Sequence, residues 1–104
     1  MRTCQVIFTP EFEEQLADLF HYIADEAGSL VVASRYTDAI VSYCESLGTF
    51  PHRGAMRDDL LPGLRITHYK GRAMIAFVVD GDRVFITGLF YGGRDYEAIL
   101  GDAG

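Results

Sequence analysis

Residues Phe50–Arg65, FPHRGAMRDDLLPGLR, mark the place where the sequence changes from helical to strand periodicity. Before this junction, apolar residues recur every three or four positions, as in amphipathic helices. After it, they form short β-branched and aromatic runs that are typical of strands. Pro51, Gly54 and Pro62-Gly63 favour turns within the junction, because proline and glycine interrupt regular elements. The junction therefore separates a helical half of the chain from a sheet half.

Two helices are predicted before the junction. Thr9 is a favourable N-cap and Pro10 suits the first helical turn, while Gly28 supplies a stop. Ser29 caps a second helix that ends at Gly48, so the short link predicts an antiparallel helical hairpin. The expected apolar stripes are Phe12, Leu16, Leu19, Phe20, Ile23 and Ala27 in the first helix, and Val32, Tyr36, Ala39, Ile40, Tyr43 and Leu47 in the second.

Strands are predicted on both sides of the hairpin. Gly-centred links between the last three strands indicate an antiparallel meander. The order β-α-α-β-β-β predicts one α+β domain over residues 1–104, with an antiparallel sheet core and the N-terminal helical hairpin packed on one face. The predicted strands are Gln5–Phe8, Leu64–Tyr69, Ala73–Val79 and Val84–Tyr91, and a last helical turn is predicted at Glu97–Leu100.

The second face of this sheet is expected to carry apolar residues as well. Two helices can cover only one face, and both alternating sets of strand residues are apolar. We therefore expect an exposed apolar patch of the kind that marks a partner site, unless the chain termini cover it. Phe77, Phe85 and Leu89 are the candidate contacts on that surface.

The charge of the chain is uneven. Its formal net charge is −6, and residues 1–48 carry all of this excess. A net acidic surface repels polyanions, so binding to free nucleic acid is not expected. The junction and the strands that follow it contain a basic zone. Only two acidic residues, Asp58 and Asp59, lie among its basic residues Arg53, Arg57, Arg65, Lys70 and Arg72. This zone is either a contact for an acidic partner or a salt-bridged surface.

Cysteine and hydropathy patterns indicate a cytoplasmic protein without cofactor or metal. Cys4 and Cys44 lack metal-ligand spacing and are expected to be reduced, buried thiols. The histidines show no metal pattern either. No apolar run approaches membrane-spanning length, and no secretory signal begins the sequence.

Several short segments, in this order along nearly the whole chain, resemble the ParE toxins of bacterial type II toxin–antitoxin modules, within the ParE/RelE superfamily that includes plasmid stabilisation proteins. They are His21-Tyr22-Ile23-Ala24, Arg35-Tyr36, Asp38-Ala39-Ile40, Phe50-Pro51, Gly54, Arg57-Asp58-Asp59-Leu60, Pro62-Gly63-Leu64-Arg65 and Gly93-Arg94-Asp95-Tyr96-Glu97-Ala98.

This resemblance implies a non-enzymatic toxin that inhibits DNA gyrase. It also implies a ParD-type antitoxin that lays a helix and an extended segment over the toxin, with two toxins and two antitoxins as a plausible assembly. The open sheet face is the surface that such a peptide would cover. Candidate contacts for the target are Arg57, Arg65, Lys70, Arg72, Tyr91 and Arg94.

Two other functions stay open. One is a toxin-fold binding module without activity. The other is the ribosome-dependent ribonuclease of the superfamily, for which Arg65, Arg72 and Arg94 would supply cations, and His68, Tyr91 or Tyr96 would transfer protons. Many relatives carry His where this chain has Tyr91, and a phenol is a less ready base at neutral pH.

Overall fold

A computed structural model describes residues 3–70 and 72–92. It confirms the predicted α+β class, with a helical hairpin followed by strands. The predicted helical turn at Glu97–Leu100 lies outside the described residues. The elements are β1 (Gln5–Phe8), α1 (Pro10–Ala27), α2 (Leu30–Ser46), β2 (Ala55–Met56), β3 (Leu64–Tyr69), β4 (Ala73–Asp80) and β5 (Arg83–Tyr91).

Side-chain caps fix both helix starts where the sequence predicts them. The hydroxyl of Thr9 accepts the N–H of Phe12 at 3.3 Å, and that of Ser29 accepts the N–H of Val32 at 3.2 Å. Gly28 adopts the left-handed conformation, with φ of 63°, and ends α1. These caps satisfy backbone donors that have no partner within the helix, so the hairpin forms at its predicted position.

The buried stripe of α2 differs from the predicted one by about one residue. Ala33, Thr37, Ile40 and Cys44 are buried, whereas Val32 is 47% exposed. One residue turns a helix by about 100°, so this shift places Val32 outside the core. The exposed start of α2 also includes Leu30 and Val31, which are 68% and 60% exposed. Among the described helices, neither is long and apolar enough to cross a membrane.

The sheet has the strand order β1-β5-β4-β3-β2 and is mixed. β3, β4 and β5 form the predicted antiparallel meander. β1, however, pairs in parallel with β5, with Gln5 opposite Arg83 and Phe8 opposite Ile86. β2 was not predicted, because its two residues, Ala55 and Met56, are too few to show a periodicity. The predicted antiparallel core is therefore confirmed in β3, β4 and β5, and the parallel pairing of β1 is a feature that the sequence analysis did not specify.

Both faces of the sheet are buried in the described part of the chain. One face packs against the helices in a cluster that includes Phe12, Ile40 and Phe77. The other face forms a smaller cluster against which Leu60 and Leu61 of the junction pack. The apolar patch expected on that second face is therefore buried rather than exposed, and its residues are Leu64, Ile66, Met74, Ala76 and Phe90.

For two of the three candidate contacts, the predicted position on that face is wrong. Phe77 and Leu89 are 0% and 3% exposed and belong to the helix-side cluster. A register shift in the β4–β5 pairing lies between Ala76 and Phe77, where Phe77 pairs with Ile86 and Ala76 with Gly88. The extra residue in β5 reverses the alternation beyond it, so Leu89 turns toward the helices. Phe85 is half-buried.

The junction approaches β3 closely at Gly54. Its φ is +82°, and a Cβ at this position would lie 2.3 Å from the carbonyl oxygen of Ile66. Gly81 also has positive φ, at +61°, but a Cβ there would meet nothing within 4 Å. Gly81→Ala therefore isolates the cost of the left-handed conformation, about 1–2 kcal/mol.

We expect Gly54→Ala to lower the free energy of unfolding by at least about 1 kcal/mol more than Gly81→Ala does, because a backbone clash adds to the strain. Urea unfolding of both variants and the native chain measures the difference. Equal losses in the two variants would contradict the close approach of Gly54 to β3.

Candidate functional site

The strands β3 and β5 both end in tyrosine at the same end of the sheet. Tyr69 pairs with Ala73 of β4, which pairs with Tyr91. Both tyrosines pack against the helix-side cluster, as do Tyr36 and Tyr43 of α2. The small side chain of Ala73 between the two strand tyrosines leaves room for aromatic side chains from the helices.

The tyrosine rings form a continuous series of edge and tilted contacts. Ring centroids are 5.9 Å apart for Tyr22 and Tyr91, 5.9 Å for Tyr91 and Tyr36, 6.2 Å for Tyr36 and Tyr69, and 5.2 Å for Tyr69 and Tyr43. These are the spacings that aromatic pairs favour, each worth about 0.5–1.5 kcal/mol beyond burial. We call Tyr22, Tyr36, Tyr43, Tyr69 and Tyr91 the tyrosine cluster.

The two ends of this series of rings differ, because Tyr43 bonds to a buried threonine whereas Tyr22 is exposed. The phenol oxygen of Tyr43 lies 2.9 Å from the hydroxyl of Thr67, which satisfies both groups. Tyr22 is 53% exposed, and Tyr36 and Tyr91 are half-buried. The cluster thus anchors the hairpin on the sheet, and the ring of Tyr22 is exposed to solvent.

Cationic side chains border the cluster. The Lys70 amine lies 5.6 Å from the centroid of the Tyr69 ring, a distance at which a cation is attracted to the ring face. Lys70 has φ of 52°, as expected at a tight strand connection. Arg72, exposed at the start of the next strand, accepts the N–H of Gly92 with its carbonyl at 3.3 Å.

The phenol of Tyr36 has a raised pKa. Burial raises its pKa above the ordinary value of 10.0, and the phenols of Tyr91 and Tyr69 raise it further. The guanidinium of Arg72 acts in the opposite direction. Tyr36 is therefore neutral at physiological pH, so its phenol keeps its proton.

The structure brings together three of the six predicted target contacts. Lys70, Arg72 and Tyr91 meet at the tyrosine cluster, because the β3–β4 connection lies beside the end of β5. Arg65 lies at the other end of β3, four residues from Tyr69 and therefore about 13 Å away along the strand. Arg94 lies outside the described residues.

Arg57 and Arg65 take part in contacts within the junction. Arg57 makes a two-pronged ion pair with Asp59, at 2.9 and 2.8 Å, which lowers the pKa of that exposed carboxyl. Arg65 donates to the carbonyl of His52 at 3.1 Å. These two arginines hold turns in place and do not join Lys70 and Arg72 in one surface.

Of the three candidate proton-transfer groups of a ribonuclease, Tyr96 lies outside the described residues, and the other two do not converge. His68 pairs with Met74, which pairs with Phe90, so His68 lies on the second face. Tyr91 lies on the helix side. Within residues 3–70 and 72–92, no group of three His, Cys, Asp or Glu side chains is placed to hold a metal ion.

Most of the tyrosine cluster was missed by the sequence analysis. The signal was present, because Tyr69 and Tyr91 directly end two strands and Tyr36 and Tyr43 are one heptad apart on α2. The strand lengths alone do not show that Tyr69 and Tyr91 fall in one row. That requires the register of both strand pairs.

Comparison with known proteins gives a family match and two structural likenesses. The family described as "ParE toxin of type II toxin-antitoxin system, parDE" matches residues 6–96. The chain is similar to a structure of the chromosomal ParDE toxin–antitoxin system from P. aeruginosa, with a TM-score of 0.74, 19% identity, and coverage of 86% of this chain and 96% of that one.

It is also similar to a structure of the RelBE2 toxin–antitoxin complex from Mycobacterium tuberculosis. That match has a TM-score of 0.63 and 18% identity, and covers 86% of this chain and 99% of the other. No curated protein sequence matches the chain. At these identities the two structures establish the fold.

The raised pKa of Tyr36 predicts a pH effect on stability. A group whose pKa is higher in the folded state contributes stability that is fully present below the unfolded value of 10.0 and is lost as pH rises through the folded value. Tyr36→Phe keeps the ring and removes the ionisable hydroxyl. We expect the variant to lose less unfolding free energy than the native chain above pH 10.0.

Urea unfolding of both chains from neutral to alkaline pH measures this difference. The buried Cys44 thiol, whose pKa burial raises to about 12, acts in the same direction but is present in both chains. Its contribution therefore cancels in the comparison. Parallel pH profiles for the two chains would show that the Tyr36 hydroxyl is not held in a desolvated cluster.

Proposed function

Because this chain belongs to the ParE family of type II toxin–antitoxin toxins, we propose that it inhibits DNA gyrase by protein–protein contact and is neutralised by a ParD-like antitoxin. The family match over residues 6–96 carries the proposal. Gyrase as the target, and the lack of an enzymatic activity, rest on the resemblance to ParE toxins rather than on a contact in the structure.

The surface we assign to the target is the exposed end of the tyrosine cluster together with Lys70 and Arg72. Aromatic and arginine side chains dominate the binding energy of protein interfaces, because they bury large areas and still make polar contacts. The two cations belong to the basic zone of a chain whose formal net charge is −6. Such a local positive patch suits an acidic protein surface, or DNA already held by gyrase, better than free nucleic acid.

An antitoxin partner is supported by the two structural matches, which come from a ParDE system and a RelBE2 complex. The exposed side of α1 is acidic and contains no lysine or arginine. Such a surface attracts basic segments of a partner and speeds their association. Phe85 remains a candidate antitoxin contact on the second face, and two toxins with two antitoxins is the proposed assembly.

The ribonuclease alternative has one observation in its favour, the likeness to the RelBE2 complex, which concerns the fold. Against it, His68 and Tyr91, two of the three candidate proton-transfer groups, lie on opposite faces of the sheet, and the third, Tyr96, lies outside the described residues. An inactive binding module is the remaining alternative. Gyrase inhibition is therefore the function that we propose to test first.

We expect the purified chain to inhibit supercoiling by gyrase, and Arg72→Ala to weaken this inhibition by about tenfold, the effect of losing one interface hot spot of about 1.4 kcal/mol. Arg83→Ala is the matched control, since Arg83 is also exposed beside a strand connection, at the opposite end of β5. Supercoiling assays over a concentration series, with unfolding curves for each variant, measure the effect.

Three results would contradict the proposal. Equal losses in the two arginine variants would place the target surface elsewhere. Native chain that leaves gyrase active and bacterial growth unchanged would favour an inactive module. Rapid arrest of translation with cleaved messages, without DNA damage, would favour the ribonuclease.

A further inference from the structure

Apart from the tyrosine cluster, large apolar side chains are exposed at two places in the described part of the chain. The first is the end of the helical hairpin, where Leu30, Val31 and Val32 are 68%, 60% and 47% exposed. The second is the junction, where Phe50 and Met56 are 53% and 46% exposed. Neighbouring exposed apolar residues mark surfaces that another molecule covers. The two places are therefore candidate contact surfaces.

The two places carry opposite charge. Asp25 and Glu26 are exposed in the last turn of α1, beside the exposed start of α2, and we call residues 25–32 the hairpin tip. A pocket of about 370 Å³, which we call the junction pocket, contains a half-buried arginine and, among the described residues, no acidic one. Its lining includes Cys4, Pro51, His52, Met56, Arg65 and Val79. The acidic, apolar tip therefore matches the basic, apolar pocket.

Arg65 is able to bind a carboxylate in the junction pocket. One nitrogen of its guanidinium donates to the carbonyl of His52 at 3.1 Å, which holds the side chain in place. Arginine has five N–H donors in a planar fork that matches both oxygens of a carboxylate. No carboxylate of the described residues forms an ion pair with Arg65. Asp80 and Asp82 are exposed on the adjoining turn, so a partner's carboxylate must enter from the side away from them.

The hairpin tip and the junction pocket lie at opposite ends of α2. The tip includes the first residues of this helix. Cys4, in the pocket lining, donates its N–H to the carbonyl of Gly48 at 2.7 Å, just after the helix ends. α2 has 17 residues and is therefore about 25 Å long. The tip cannot reach the pocket of its own chain, but two copies with antiparallel α2 helices bring each tip to the other's pocket.

The exposed face of α2 suits such a pairing. Its residues recur at three- and four-residue spacing, and they are Val31, Ser34, Arg35, Asp38 and Ser42. If Arg35 of one copy lies opposite Asp38 of the other, two-fold symmetry makes the same contact twice. Neither residue forms an ion pair within the described part of its own chain. The same register places Val31 opposite Ser42, and the small serine side chains allow the helices to approach closely.

We propose that two copies of this chain form a two-fold symmetric dimer through antiparallel α2 helices, in which the hairpin tip of each copy covers the junction pocket of the other. The apolar residues of the tip pack on Phe50 and Met56, and an acidic one binds Arg65. The contact is closed, because both tips and both pockets are used. This dimer is independent of gyrase and of the antitoxin, and it adds a contact between toxins to the proposed assembly.

Net charge limits which arrangement of two copies can form. Each chain has a formal net charge of −6, so two copies repel each other at long range. The antiparallel contact places opposite charges together at its centre and at both of its ends. An arrangement that pairs two α1 helices lacks this compensation, because α1 has acidic residues and no basic one.

Charge reversal on α2 tests the register. We expect the native chain to approach twice its mass of 11.6 kDa reversibly as its concentration rises in sedimentation experiments. Arg35→Asp and Asp38→Arg should each weaken the dimer by at least about tenfold, because every change acts twice in a symmetric contact. An equimolar mixture of the two variants should dimerise again, since each ion pair is restored with its charges exchanged.

Asp18→Arg is the matched control for these variants. Asp18 is exposed and lines the cavity between α1 and β5, outside the proposed contact. This substitution changes the net charge as much as Asp38→Arg does, and both lower the repulsion between copies. We expect Asp18→Arg to leave the dimer at least as stable as the native one. Weakening by Asp38→Arg alone therefore reports the contact rather than the net charge.

Two further variants test the ends of the contact. Leu30→Ser removes an exposed apolar side chain from the tip, and Arg65→Gln removes the cation from the pocket. We expect each to weaken the dimer by at least about fivefold, as for paired losses of modest interface contacts. Unfolding curves check that both variants fold. If Arg65→Gln is unfolded, Asp25→Asn combined with Glu26→Gln tests the same ion pair from the exposed side.

Three results would overturn the proposed dimer. Native chain that stays monomeric up to about 1 mM would reject it outright, since such an affinity is negligible. A mixture of the two α2 variants that stays monomeric would reject the antiparallel register. Unchanged affinity in Leu30→Ser and in the pocket variant would reject the contact between tip and pocket. A monomeric chain that inhibits gyrase would leave the target proposal standing, and a dimeric chain without effect on gyrase would do the opposite.

Discussion

Thr9 is the single residue between β1 and α1, and its hydrogen bonds to both β5 and α1 determine the arrangement of the sheet. Its N–H and its hydroxyl both donate to the carbonyl of Ile86, at 3.1 and 3.0 Å. Its hydroxyl also accepts the N–H of Phe12, and its carbonyl accepts the N–H of Glu13 at 3.0 Å. The last bonds to β5 and the first bonds of α1 therefore share one residue. β1 cannot continue, and α1 must cross the sheet from that point.

The early end of β1 explains two features at the far end of the sheet. Among the described residues, β5 continues to Tyr91 without a strand neighbour on its outer edge, and a groove of about 350 Å³ lies there between β5 and α1. The hairpin helices also lie over the row formed by Tyr69, Ala73 and Tyr91, so their own tyrosines meet that row. The groove and the tyrosine cluster are thus consequences of one strand being shorter than its partner.

Local signals in the sequence determine much of this fold. The caps at Thr9 and Ser29 and the stop at Gly28 act within a few residues, so the helix bounds follow from them. The parallel pairing of β1 with β5 joins residues about eighty positions apart, and no local pattern specifies it. The faces of β5 were also misassigned beyond Ile86, because simple alternation does not show where an extra residue enters a strand. The sequence analysis named Lys70, Arg72 and Tyr91 as candidate target contacts. That they lie close to Tyr36 follows only from the register of the β3–β4 and β4–β5 pairs.

The groove and the target surface are continuous, and this bears on how an antitoxin would neutralise the toxin. Tyr22 and Tyr91 line the groove and also form the end of the tyrosine cluster. A partner segment bound in the groove would contact both rings and cover part of the surface that we assign to gyrase. Neutralisation of the toxin would then need no change in its shape, because the antitoxin and the target would compete for the same aromatic side chains. The exposed ring of Tyr22 is the part of the cluster that both partners would have to bury.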